Sequence, residues 1–101
     1  MSNAARGEAA LTINEKACLL RPSFDALVQA EEELGPLFDL VERAGAGKLR
    51  LTDMAALFWH CLAERGDLTR EAVGEAVVAQ GLAASTKPLR ILLGEILKGR
   101  V

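Results

Sequence analysis

The run LTINEKACLLRPSFDALVQAEEELG, residues 11–35, decides the fold, because its apolar period changes partway along. Up to Leu20 the residues pair as a ribbon. A two-residue turn at Asn14-Glu15 sets Ile13 against Lys16, Leu11 against Cys18 and Ala9 against Leu20, which makes one face almost wholly apolar. Ala10, Thr12, Ala17, Leu19 and Arg21 take the other face. A slip of one residue exchanges the two faces, so their contrast in polarity fixes the register. The turn itself is open between two forms. Type I′ demands positive φ at both central residues, which does not suit Glu15, and a longer, looser turn is the alternative.

Pro22 has no N–H for a ladder and holds Arg21 extended, so the second strand ends there. Ser23 is placed to cap a helix, and Asp25 suits the positive end of its dipole. Phe24, Leu27, Val28 and Leu34 share one face at helical spacing, interrupted by Glu31, and Gly35-Pro36 ends the helix. A lone two-stranded ribbon is marginal in water. Its apolar side therefore has to lie against helices.

The rest of the chain supplies them. Ahead of the ribbon, residues 1–6 read as a frayed polar tail, in which Ser2-Asn3-Ala4 is either native or a cloning remnant, and the first strand begins near Glu8. Pro36 opens a second helix with Leu37, Leu40, Val41 and Ala44 in a stripe, broken by Gly45-Ala46-Gly47. Leu49, Arg50 and Leu51 read as an extended linker. Thr52 then caps a third helix carrying Met54, Leu57, Phe58, Cys61 and Leu62, a core-facing pattern that stops at Gly66. Thr69, with Leu68 before it and Val73 four residues after, has the spacing of a hydrophobic staple. That fourth helix runs to about Gln80 and is closed by Gly81. Residues 83–87 read as a linker, and Pro88 starts a fifth helix with Leu89, Leu92, Leu93, Ile96 and Leu97 in line, ending at Gly99. Gly94 interrupts it at a cost of roughly 1 kcal/mol relative to alanine, which close packing against another helix would explain.

The reading is thus an α+β domain over residues 7–101, an N-terminal antiparallel β-hairpin packed against four to five short α-helices. A chain of 101 residues buries roughly two thirds of its unfolded surface and folds without staples. Half the residues are hydrophobic and only 4% aromatic, so the core is aliphatic. A net charge of −2 with dispersed charges offers nucleic acid no footprint. The concentrated run Glu31-Glu32-Glu33 reads as a solvated helix face. No segment has the length of a bilayer span and the N-terminus lacks a signal core, which predicts a cytoplasmic chain.

Little in the sequence points to chemistry. Gly45-Ala46-Gly47-Lys48 resembles a phosphate loop only superficially, since Glu42 stands where its first glycine belongs and Leu49 where its Ser or Thr belongs. His60 and Cys61 are adjacent and point about 100° apart on a helix, with no orienting acid beside them in the sequence. Cys18 and Cys61 read as reduced, buried small hydrophobes, not a disulfide or metal site. No catalytic residue, cofactor site, metal site or small-molecule substrate is expected, and the chain is read as no enzyme. Trp59 lies off the stripe of its helix. It either packs under a neighbouring helix or stands out as an anchor for a partner. With Leu19, Leu49 and Leu51, which fall outside the helical stripes, it makes a candidate protein-binding surface.

Arg6-Gly7-Glu8, Leu11-Thr12-Ile13, Leu20-Arg21-Pro22-Ser23-Phe24 and Ala26-Leu27 through Glu31 to Leu34-Gly35 together resemble a known family. This is the group of small tail-module proteins of gene transfer agents and related prophages, grouped with phage tail assembly chaperones and sometimes labelled tail tube proteins. The likeness is best over the first third and looser from Leu49 to Gly81. Glu15 stands where the family's turn usually has glycine, and Cys18 where an aromatic is common. The resemblance implies a non-enzymatic cytoplasmic protein that binds the tape-measure protein during tail assembly. Alternatively it implies a structural subunit, tail tube or tail-associated, that contacts tube subunits and stays in the particle.

Overall fold

The computed structural model describes residues 8–99, so the segment read as a tail, with Ser2-Asn3-Ala4, lies outside the described residues. The elements are β1 (Ala9–Ile13), β2 (Lys16–Leu20), α1 (Phe24–Leu34), α2 (Leu37–Gly45), α3 (Leu51–Cys61), α4 (Arg70–Gln80) and α5 (Leu82–Lys98). The strands pair antiparallel in the expected register, Ile13 with Lys16, Leu11 with Cys18 and Ala9 with Leu20. Asn14 and Glu15 both take positive φ, 51° and 67°, so the tight turn is the one formed. Holding Glu15 there costs about 1 kcal/mol. Burial of Ala9, Leu11 and Ile13 on β1, with Leu20 on β2, outweighs that cost.

Packed on the apolar side of β1 are α4 and α5. The end of α3 meets the ribbon differently, by hydrogen bonds. The Arg21 N–H donates to the Cys61 carbonyl at 2.6 Å and the Ala63 N–H to the Leu19 carbonyl at 3.0 Å, with Leu20 bridged to Leu62. This corrects the expected C-terminus of the third helix. Instead of running to Gly66 it unwinds at Leu62, because the backbone beyond Cys61 serves as a short third partner for β2.

The start of α3 also differs from expectation. Leu51 is its first residue and Arg50 its cap position, not part of a linker capped by Thr52. Asp53 is the cause: its carboxylate accepts the Arg50 backbone N–H at 3.1 Å and pairs with Arg43 of α2 at 2.7 Å. A carboxylate that satisfies a free first-turn amide and meets a base from the preceding helix fixes where α3 begins. Thr69 and Ser23 do act as caps, their hydroxyls accepting the N–H of Ala72 and Ala26. Gly45-Ala46-Gly47-Lys48 is the end of α2, with Gly47 at φ 72°.

α1 is rotated from its expected setting. Phe24 is 82% exposed and Val28 is exposed too, while Ala26 and Ala30 are buried and Leu27 and Leu34 partly so. Ala26, Ala30 and Glu33 stand at i, i+4 and i+7, and Glu33 reaches His60 and Arg70 across the bundle. That ion pairing holds the small side of the helix against α3 and turns its large residues outward.

α5 starts six residues before Pro88, at Leu82, replacing the expected linker. Its first turns are held by side chains. The buried Ser85 hydroxyl donates to the Gly81 carbonyl and accepts from Gln80 Nε2, both at 2.9 Å, and Thr86 Oγ1 donates to the Ala83 carbonyl at 2.6 Å. Pro88 lacks the N–H that would reach the Ala84 carbonyl, but Ala84 is exposed and water can serve it. Gly94 has no close neighbour, since an added methyl would meet nothing within 4 Å, so helix packing does not account for it. Leu97, read as part of the core stripe, is exposed.

Candidate functional site

Where α1, α3 and α4 meet, ionisable side chains gather around Trp59. Glu33 of α1 accepts from Arg70 of α4 and lies 2.8 Å from His60 Nε2 of α3. Hydrogen bonds from Arg70 and then His60 hold the Glu33 carboxyl down at about 2, well below the usual carboxylate range. The other imidazole nitrogen, Nδ1, is buried with no hydrogen-bond partner among the described residues. An ionised carboxylate only accepts, so His60 Nε2 is the donor in its bond to Glu33. Guanidinium groups cover the neighbouring indole, Arg65 at 4.5 Å from the Trp59 ring centre and Arg70 at 5.9 Å.

One expectation is corrected here. An acid does accompany His60, supplied by Glu33 from a helix 27 residues earlier. The acidic run is an exposed helix face, as expected, but two of its members are also bonded, Glu33 to Arg70 and His60 and Glu31 to the Leu37 N–H. What this cluster does is tie three helices together. The adjacent Cys61 is 1% exposed, and burial pushes its thiol up to about 12, so at neutral pH it is an apolar side chain. Cys18 is half-buried, more open than expected. Among the described residues no His, Cys, Asp or Glu cluster has the makeup of a metal site, and no helix is long and apolar enough to cross a membrane.

The four residues read as a binding surface fall in different places. Leu51 and Trp59 stand at i and i+8 on α3, with Ala55 between them, and both face α4. Leu51 is 42% exposed and Trp59 partly buried under its two arginines. Leu49 packs against the core. On the outer side of the ribbon, Leu19 lines a shallow depression with Ala63 and Glu64.

Other large apolar residues are more exposed than these four: Phe24, Phe38 at 76%, Val78 at 62%, Leu82 and Leu97. Phe38, Leu97, Leu37, Val41 and Ile96 line a groove between α2 and α5, with Glu31 at its lip. A second open groove runs between α3 and α4. The sequence held a partial signal for the first, because Phe38 sits one position off the stripe of Leu37, Leu40, Val41 and Ala44. It held less for the second. Val78 adjoins the buried Val77, and which valine turns inward depends on the neighbours of α4.

Compared with models of protein families, the chain matches from residue 6 to residue 99 the family described as "Phage tail tube protein, GTA-gp10". Searches of curated proteins and of solved structures find no match.

Proposed function

Since this chain belongs to the family of phage tail tube proteins of the GTA-gp10 type, matched from Arg6 to Gly99, we propose that it works in tail assembly by holding another polypeptide. In this reading it is a non-enzymatic assembly chaperone in the cytoplasm. It binds the tape-measure protein and shields its apolar helices until tube subunits close around them. Family membership makes it a tail-related protein, and one structural observation supports the binding role. Phe24, Phe38, Leu51 and Val78 lie outward on four different helices while the core is filled without them. Large apolar groups left outside a completed core suit contact with another chain. Co-expression with the tape-measure protein tests this. The expected result is a soluble, co-purifying complex; a tape-measure protein that stays insoluble and does not co-purify counts against the role.

The family's description favours a second reading, in which the protein is a tube or tail-associated subunit retained in the particle. Mass spectrometry of purified particles separates the two. A chaperone is absent from the finished tail, and a subunit is present in many copies.

A further inference from the structure

Apolar residues lie on two sides of α4, and the core uses only one. Val73 and Val77 are fully buried, whereas Gly74 and Val78 turn away and, with Leu51 and Ala55 of α3, line the open groove between the two helices. Glu71 and Glu75 of α4 edge it, and neither makes a salt bridge among the described residues. Gly74 sits in the middle of the helix, where glycine is a poorer helix former than alanine. Its φ is not positive, and a methyl there would meet only the Ala55 Cβ, at 4.0 Å. The fold has no need of glycine at this position. What its absent side chain provides is a lower groove floor, the feature that lets a second helix come close.

Charge decides between occupants. A second copy packed by this same groove would bring its own Glu71 and Glu75 against these two. Two copies would set like charges together. Resting on the tail-assembly reading, we propose that the α3–α4 groove seats an apolar α-helix of another tail protein, one flanked by lysine or arginine that pairs with Glu71 and Glu75.

Calorimetry on the full chain tests this with two synthetic helices that share one Leu/Ala face, one flanked by lysine and the other by glutamate. The lysine peptide should bind roughly tenfold more tightly, with the advantage shrinking in high salt. Replacing Glu71 and Glu75 by lysine should reverse the preference, and the same change at the distant Glu32 and Glu64 should not. Gly74→Leu should abolish binding, while Gly74→Ala should raise Tm by about 4–8 °C and still weaken it. Equal affinity for the two peptides, no binding, or binding untouched by Gly74→Leu would overturn the proposal. So would a dimer in solution that Gly74→Leu dissolves, since that makes a second copy the occupant. Co-expression separates the two layers of argument. A tape-measure complex indifferent to Gly74→Leu keeps the assembly reading and removes this groove, whereas peptide binding without any such complex keeps the groove chemistry and removes the assigned partner.

Discussion

α3 and α4 are neighbours of equal length, 11 residues each, yet they are used in opposite ways. α3 buries Met54 through Phe58 in an unbroken run, together with Cys61, because α1 lies on one side, α4 on another, and its end is bonded to the ribbon. α4 buries only Val73 and Val77, leaves Val78 and Ala79 exposed, and sets Gly74 half-buried in the open groove beside α3. An apolar helix residue is thus evidence of contact only where another element arrives to cover it. The difference between the two helices is the difference between holding the fold and offering a surface.

The contrast is most easily broken in α3. Phe58→Ala opens a cavity at the fully buried centre and should cost about 3–5 kcal/mol, read as a drop in the urea midpoint. A loss under 1 kcal/mol would mean that α3 is not the structural centre. At the junction of α3 and α4, Thr69→Ala removes the hydroxyl that takes the Ala72 N–H and should cost about 1 kcal/mol. The same junction is sensitive to acid. Glu33 has its carboxyl lowered from 4.5 to about 2, so its contribution is fully present above pH 4.5 and is lost as pH falls toward 2. Because the Glu33 side chain is 38% exposed, solvent screening limits that contribution to about 1 kcal/mol or less. Glu33→Gln should flatten the acid limb of the stability curve by that amount and leave an unchanged slope elsewhere.

On α4 the sign should turn. Gly74→Ala is expected to stabilise the chain by up to about 1 kcal/mol, measured by thermal unfolding, since the methyl meets only the Ala55 Cβ, at an ordinary contact distance of 4.0 Å. Smallest of all, Val78→Ser should move stability by no more than about 0.5 kcal/mol, because the side chain is already in water. If Val78→Ser destabilised as much as a core change, the outer side of α4 would belong to the fold after all.

Much of the ribbon and its junction was legible in the chain. Alternation from Ala9 to Leu20 gave the register, Pro22 the strand end, and Ser23, Thr69 and Gly81 the helix limits, since each acts on backbone within a few residues. The rotation of α1 was not legible. Phe24 and Val28 have the spacing of a core stripe, but Glu33 is bound to partners 27 and 37 residues away, and those bonds set which side faces in. Pro88 misled for a related reason: a proline is tolerated in the second turn of α5 because Ser85 and Thr86 anchor the turn before it. Of the candidate surface, Leu51 and Trp59 proved to share a side of α3, while the exposure of Phe38 and Val78 could be read only from what their neighbours failed to cover.

By itself, then, the sequence determined the two strands, their register and the Ser23 and Thr69 caps, because strand alternation and the needs of free backbone amides operate over a few residues. Tertiary structure alone decided which helix faces point inward, where α3 unwinds to meet β2, and which apolar residues remain outside. Those outcomes depend on groups brought together from far along the chain, and a face becomes a core or a docking surface only by the presence or absence of a neighbour.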